Sequence, residues 1–179
     1  MAQAVVGELA CIGDRLRILL ADSTTFRTLT GTANRTAALA FIHMPLSLDD
    51  GTHPPPRATI DPTKGNYERE QIGIGSYILQ AQLPLSFEFE IPDSVTDGLE
   101  LKDIESESEL WFLGKVGPIL EEMEALAGTG EGVSGETHLN VIRFTQVEGP
   151  EPYAEEEQPA EAAGKVPYLW FYTVMFEIR

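Results

Sequence analysis

Apolar residues near the start of the chain recur at helical spacing. Val5, Leu9, Ile12, Leu16 and Leu19 are separated by four, three, four and three residues, which places them on one face of a helix from Val5 to Leu20. Glu8, Asp14, Arg15 and Arg17 fall mostly on the other side. Gly7 and Gly13 weaken that helix by about 1 kcal/mol each relative to alanine without breaking it. Asp22-Ser23 then reads as the N-cap of a short helix through Phe26 and Leu29, stopped by Gly31. Ala38 to Met44 is a predicted strand that ends before Pro45.

The clearest pattern lies between Tyr77 and Pro92. Leu83, Leu85, Phe87, Phe89 and Ile91 alternate with Pro84, Ser86, Glu88 and Glu90, the period of a strand with one buried face. Pro84 cannot donate to a ladder and so belongs at a bulge or an edge. Ser106-Glu107-Ser108-Glu109 has the form of a capping box. Beyond it, Leu113, Val116, Leu120, Met123 and Ala127 supply the apolar stripe of a second long helix, which Gly117-Pro118 should kink or split. Gly128 to Gly135 reads as a glycine-rich stop. His138 to Val147 and the aromatic, β-branched run Pro167 to Arg179 are two further strands, the last one tying the terminus into a sheet.

Two stretches lack such a pattern. Residues 45–76 carry Asp49-Asp50-Gly51, Pro54-Pro55-Pro56 and Asp61-Pro62, with a short strand expected from Ala58 to Ile60. Residues 148–166 are rich in glutamate, Glu155-Glu156-Glu157 included. Both are expected to be long loops, and the proline triplet favours stiff polyproline II that can reach a neighbour. The whole, residues 1–179, is expected to form one α+β domain: a mainly antiparallel sheet with helices packed on one face and extended loops.

Charge narrows the partners. Twelve basic against twenty-nine acidic residues give a formal net charge of −17. Such a surface repels a phosphate backbone and disfavours docking on anionic membranes, while permitting attraction to basic partners. The single cysteine, Cys11, excludes an intrachain disulfide framework and a cysteine-based zinc site, and its apolar neighbours suit an inert thiol. The N-terminus has no basic region of a signal peptide, and no uncharged apolar stretch is long enough to span a bilayer, so a soluble protein made in the cytoplasm is expected.

No residue set carries catalysis. His43, Asp49, Asp50 and His53 match no ligand spacing, and His138 has no partner at motif distance, so no metal is expected. Gly73-Ile74-Gly75 and Gly128-Thr129-Gly130-Glu131-Gly132 lack the lysine and hydroxyl of a phosphate loop and the context of a dinucleotide fold, so no cofactor is expected. Ser86 and Ser134 stand in no nucleophile elbow. Without nucleophile, base and orienter together, an enzyme is disfavoured. Glu88 and Glu90 project from one side of their strand, either as a solvated face or as the lining of an acidic surface or channel.

An N-terminal amphipathic helix, a proline-containing loop, Leu83-Pro84-Leu85-Ser86-Phe87-Glu88-Phe89-Glu90-Ile91-Pro92, a helix with Val116-Gly117-Pro118-Ile119-Leu120-Glu121-Glu122-Met123, His138-Leu139-Asn140-Val141 and Phe171 to Ile178 follow one another. This succession resembles the tail terminator, or tail completion, proteins of long-tailed bacteriophages and gene transfer agents. The resemblance implies a virion protein of the tail neck, working as a hexameric ring. The ring would cap the head-proximal end of the tail tube, end tube polymerisation and meet the head-side connector or stopper protein. DNA would pass through the acidic lumen without specific binding. No catalytic residue is implied. Subunit contacts are expected first at Pro54, Pro55, Pro56 and Arg57, and the lumen at Glu88 and Glu90. The rivals are another neck or minor tail component, such as an adaptor or stopper, and an acidic inhibitor that mimics DNA.

Overall fold

The structure, a computed structural model, describes residues 8–44, 55–61, 65–74, 76–129, 142–152 and 170–178. Helices and a small mixed sheet make it an α+β fold. Along the chain run α1 (Glu8–Asp22), α2 (Thr24–Leu29), α3 (Arg35–Ala38) with a 3-10 turn after it (Leu39–Phe41), β1 (Ile42–His43), β2 (Arg57–Ile60), β3 (Asn66–Gly73), β4 (Ser76–Gln82), β5 (Pro84–Glu88), α4 (Asp93–Thr96), α5 (Leu101–Thr129), β6 (Ile142–Pro152) and β7 (Trp170–Ile178). Five strands lie in the order β1-β2-β5-β7-β6; β1 and β2 are parallel, and the other three pairings are antiparallel. β3 and β4 form a separate hairpin.

The core gathers on one side of β5. Leu83, Leu85, Phe87 and Phe89 are all buried, as the alternation in sequence requires. Ala58 stands opposite Phe87 and Ile60 opposite Leu85, so β2 extends the same apolar face. Phe89 lies 5.6 Å from Phe87 and 5.4 Å from Phe112 of α5, ring centre to ring centre, which fastens the long helix to the strand. Val116, Ile119, Met123 and Ala127 continue the buried stripe of α5, and Ile12, Leu16, Leu19 and Leu20 supply that of α1. Burial of each large side chain contributes about 1.5–3 kcal/mol.

Local signals explain most element ends. Ser23 caps α2, its hydroxyl accepting from Phe26 N at 3.0 Å, and Gly31 follows at a φ of 65° that favours glycine. Asn34 caps α3 by accepting from Ala37 N at 3.0 Å. That cap explains a correction: Ala38 to Met44 is not a strand, since α3 and its 3-10 turn occupy most of it and only Ile42 and His43 are extended. α5 starts at Leu101, so Ser106–Glu109 lies inside the helix. Its start is marked by Gly98, at a φ of 77°, and by the Glu100 carbonyl, which accepts from Asp103 N and Ile104 N.

The helix also runs through Gly117-Pro118 unsplit. Pro118 and Gly114, whose carbonyl it leaves unbonded, both lie on the exposed side, where water serves that acceptor. Of the expected stripe, Leu113 and Leu120 are only half-buried; Phe112 and Ile119 take the central places.

The strand expected over Tyr77–Pro92 is broken at Leu83 into β4 and β5, with Pro84 opening β5 opposite Met175 of β7. Within the loop expected at 45–76, residues 57–60 and 66–73 are β2 and β3, while 45–54 and 62–64 lie outside the described residues. Glu68-Arg69-Glu70 hides β3 from a reading by apolar alternation. β6 runs on through Glu148 to Pro152, the expected opening of the acidic loop, because it pairs with β7 as far as Pro152↔Trp170. Residues 153–169, 130–141 and 1–7 lie outside the described residues. So do most of the acidic segment, most of the glycine-rich turn and His138.

Gly65 sits at the root of the β3–β4 hairpin, where an added Cβ would fall 2.5 Å from Leu83 Cδ2 and 2.9 Å from the Tyr67 ring. Burial, helped by nearby Asp61, holds the Tyr67 phenol above its usual pKa. Gly114, by contrast, faces open space. The two glycines should therefore respond with opposite sign to alanine. Gly114→Ala is expected to stabilise the fold by about 0.5–1 kcal/mol and Gly65→Ala to destabilise it by about 1–3 kcal/mol, read as shifts in the urea midpoint.

Candidate functional site

The residues singled out from sequence separate into two groups. Arg57 and Glu88 are directly opposite in the β2–β5 register, on the face away from the core, and Arg57 Nε lies 2.8 Å from Glu88 Oε2. The Glu88 side chain is only 7% exposed. The expectation of Glu88 on an acidic surface or lumen is therefore corrected: cross-strand attraction turns it to Arg57, and its charge is neutralised within the chain. The same pairing ties Arg57 to its own sheet.

Pro56 and Glu90 come together elsewhere. An open groove of about 370 Å³ is lined by Leu29 of α2, Pro56 before β2, the run Phe89–Asp93 after β5, and Trp111 of α5. Pro55 and Pro56, joined by a cis peptide, are half-buried, and Glu90 is exposed. Pro54 lies outside the described residues. The groove's lining is mixed, with Glu90 and Asp93 beside apolar Leu29, Pro56, Pro92 and Trp111, and Lys115 Nζ stands 5.6 Å from the centre of the Trp111 ring. Such a surface accepts an apolar side chain. Among the described residues, no group of three or more His, Cys, Asp or Glu is placed to hold a metal ion, and no helix is long and apolar enough to cross a membrane.

A carboxylate outside the groove holds the start of α2, whose last residue Leu29 lines it, against α5. Glu122 of α5 accepts from Ser23 Oγ at 2.6 Å, Thr25 Oγ1 at 2.7 Å and Thr25 N at 3.1 Å, at the N-terminal end of α2. Partial burial by itself would raise its pKa, but the hydrogen bonds from Ser23, Thr25 and Thr24 together outweigh it and leave the carboxyl below its ordinary value. On the other side of α2, Arg35 grips Asp22 with two hydrogen bonds of 2.7 and 2.6 Å, which joins α3 to the end of α1. Nearby Arg15 is 6% exposed; burial lowers its pKa, and Asp22 opposes that change.

Of the residues singled out from sequence, Pro56, expected at a subunit contact, and Glu90, expected on an acidic surface or lumen, line this groove; Leu29, Trp111 and Glu122 were not singled out. Leu29 was read only as a helix residue. Trp111 lay between the capping box and the apolar stripe, so no period marked it. Glu122 is one of many acids on α5, and nothing in the sequence marked it as the partner of the Ser23 cap. No family model and no curated protein matches this chain.

Two measurements probe these contacts. A depressed carboxyl pKa contributes stability that is present above the ordinary value of 4.5 and lost as pH falls through the folded value. Glu122→Gln should therefore cost about 1–3 kcal/mol at neutral pH, and the gap to wild type should close in melts taken well below pH 4.5. Glu88→Gln and Arg57→Gln should each cost about 2–4 kcal/mol, and the double variant less than their sum, as a double-mutant cycle in urea would show.

Proposed function

We propose that this chain is a tail terminator of a long-tailed phage or gene transfer agent. It forms a ring, hexameric as the resemblance implies, at the head-proximal end of the tail tube. One face of the ring ends tube polymerisation, and the other presents a different surface to the head-side connector. In this reading the finer architecture is a mainly antiparallel sheet with its helices on one face. The protein resides in the virion neck, and its partners are further copies of itself, the tube protein and the connector or stopper.

The observation that carries the reading is the order of the elements. The amphipathic α1, the β5 strand with Leu83-Pro84-Leu85-Ser86-Phe87-Glu88-Phe89, the long α5 and the closing β6–β7 pair follow in the succession that suggested the family. The groove adds an open surface of mixed polar and apolar lining, as a protein–protein contact has. The net charge of −17 suits a lumen past which DNA slides. Glu88 takes no part in such a lumen, being paired to Arg57. Glu90, which is exposed, is available to one.

Negative-stain electron microscopy of the protein with and without tail tubes is the direct test. Rings, or tubes blunted by an added cap and no longer elongating, are expected. Protein that ignores tubes and leaves their growth unchanged would refute the proposal.

A further inference from the structure

The β3–β4 hairpin ends in Ile74, which is fully exposed. A large aliphatic side chain exposed at a hairpin turn gains nothing in the free chain, and burial by a partner would stabilise it. The second half of the hairpin also opens a long stretch without charge in a strongly acidic molecule. From Gln71 to Phe87 there is no charged residue in 17 positions, the longest such run in the chain. Two copies that each carry a net charge of −17 repel, so a contact between copies belongs on charge-poor surface. Ile74, fully exposed, lies within that uncharged run.

The complementary surface is the groove lined in part by Leu29, Pro56, Pro92 and Trp111. Its volume of about 370 Å³ has room for an isoleucine side chain. The acids in its lining, Glu90 and Asp93, would repel an acidic tip and do not repel a neutral one. β4 lies against β7, as β5 does, so β4 and β5 follow one long path with Ile74 before its start and the groove beyond its end. At ~3.3 Å per strand residue the two are ~40 Å apart along that path.

We infer that Ile74 of one copy seats in the Leu29–Pro56–Trp111 groove of the next, a head-to-tail contact between copies of this chain. Knob and hole lie on different parts of the surface, so the contact is heterologous and repeats from copy to copy until rotation closes a ring. This names the subunit interface of the ring proposed above and rests on that proposal.

Two variants test it, separately and mixed, by sedimentation velocity up to the solubility limit and by negative stain with tail tubes. Ile74→Asp removes the knob at an exposed turn. Pro92→Asp puts a charge in the hole at an exposed position that precedes α4, where aspartate is a favourable cap. Thermal melts matching wild type establish that both remain folded. Each variant alone should associate roughly 10–100-fold more weakly than wild type, in keeping with the burial of one large aliphatic side chain. Their mixture should form a 1:1 dimer and stop there, since it contains one intact knob facing one intact hole. Wild-type rings with equally good Ile74→Asp rings would overturn the inference and leave the ring proposal standing. So would rings from wild type and a mixture that stays monomeric. Wild type that stays monomeric even on tubes would overturn both.

Discussion

Everything else in this fold is arranged around the need to bury four side chains, Leu83, Leu85, Phe87 and Phe89, on one face of a single strand. β2 lies beside that face and widens it with Ala58 and Ile60. α5 covers it, fastened by the contact of Phe89 with Phe112. α1 packs in turn against α5 and β2. The aromatic stack contributes directly, and it also decides which side of the strand is left for polar groups. That remaining side is where Arg57 meets Glu88, so the ion pair is a consequence of the apolar packing and not an independent feature.

How far the sequence foretold this depends on whether a signal is local. Caps are local, and the Ser23 cap with the Gly31 stop was legible because each needs only a few neighbouring residues. The alternation from Leu83 to Ile91 was legible for the same reason. Signals failed where two local tendencies competed. Apolar residues from Ala38 to Met44 suit a strand, yet the Asn34 cap starts a helix first. Ser106–Glu109 has the form of a cap, yet the chain is already helical five residues earlier. β3 was illegible because its charged residues show no alternation and its order comes from pairing with β4.

The site was legible only in part, because it is assembled from distant segments. Pro56 stood out as part of a stiff polyproline II segment and Glu90 as an acid of an alternating strand, but nothing in the order of residues puts them beside Leu29 and Trp111. Leu29 and Trp111 stand on α2 and α5, two helices also joined by hydrogen bonds. The group that joins them, Glu122, lies 99 residues from Ser23. The opposite happened with Glu88 and Arg57. Both looked like surface groups when read singly, and the antiparallel register that makes them partners is a property of the sheet.

The missing side chain at Gly65 has a geometric meaning. Leu83 and the Tyr67 ring occupy the space a Cβ would take, so the root of the hairpin is packed solid. The start of the hairpin and the residue that leads into β5 are brought together there through Leu83, and only a residue without a side chain at position 65 lets them meet so closely.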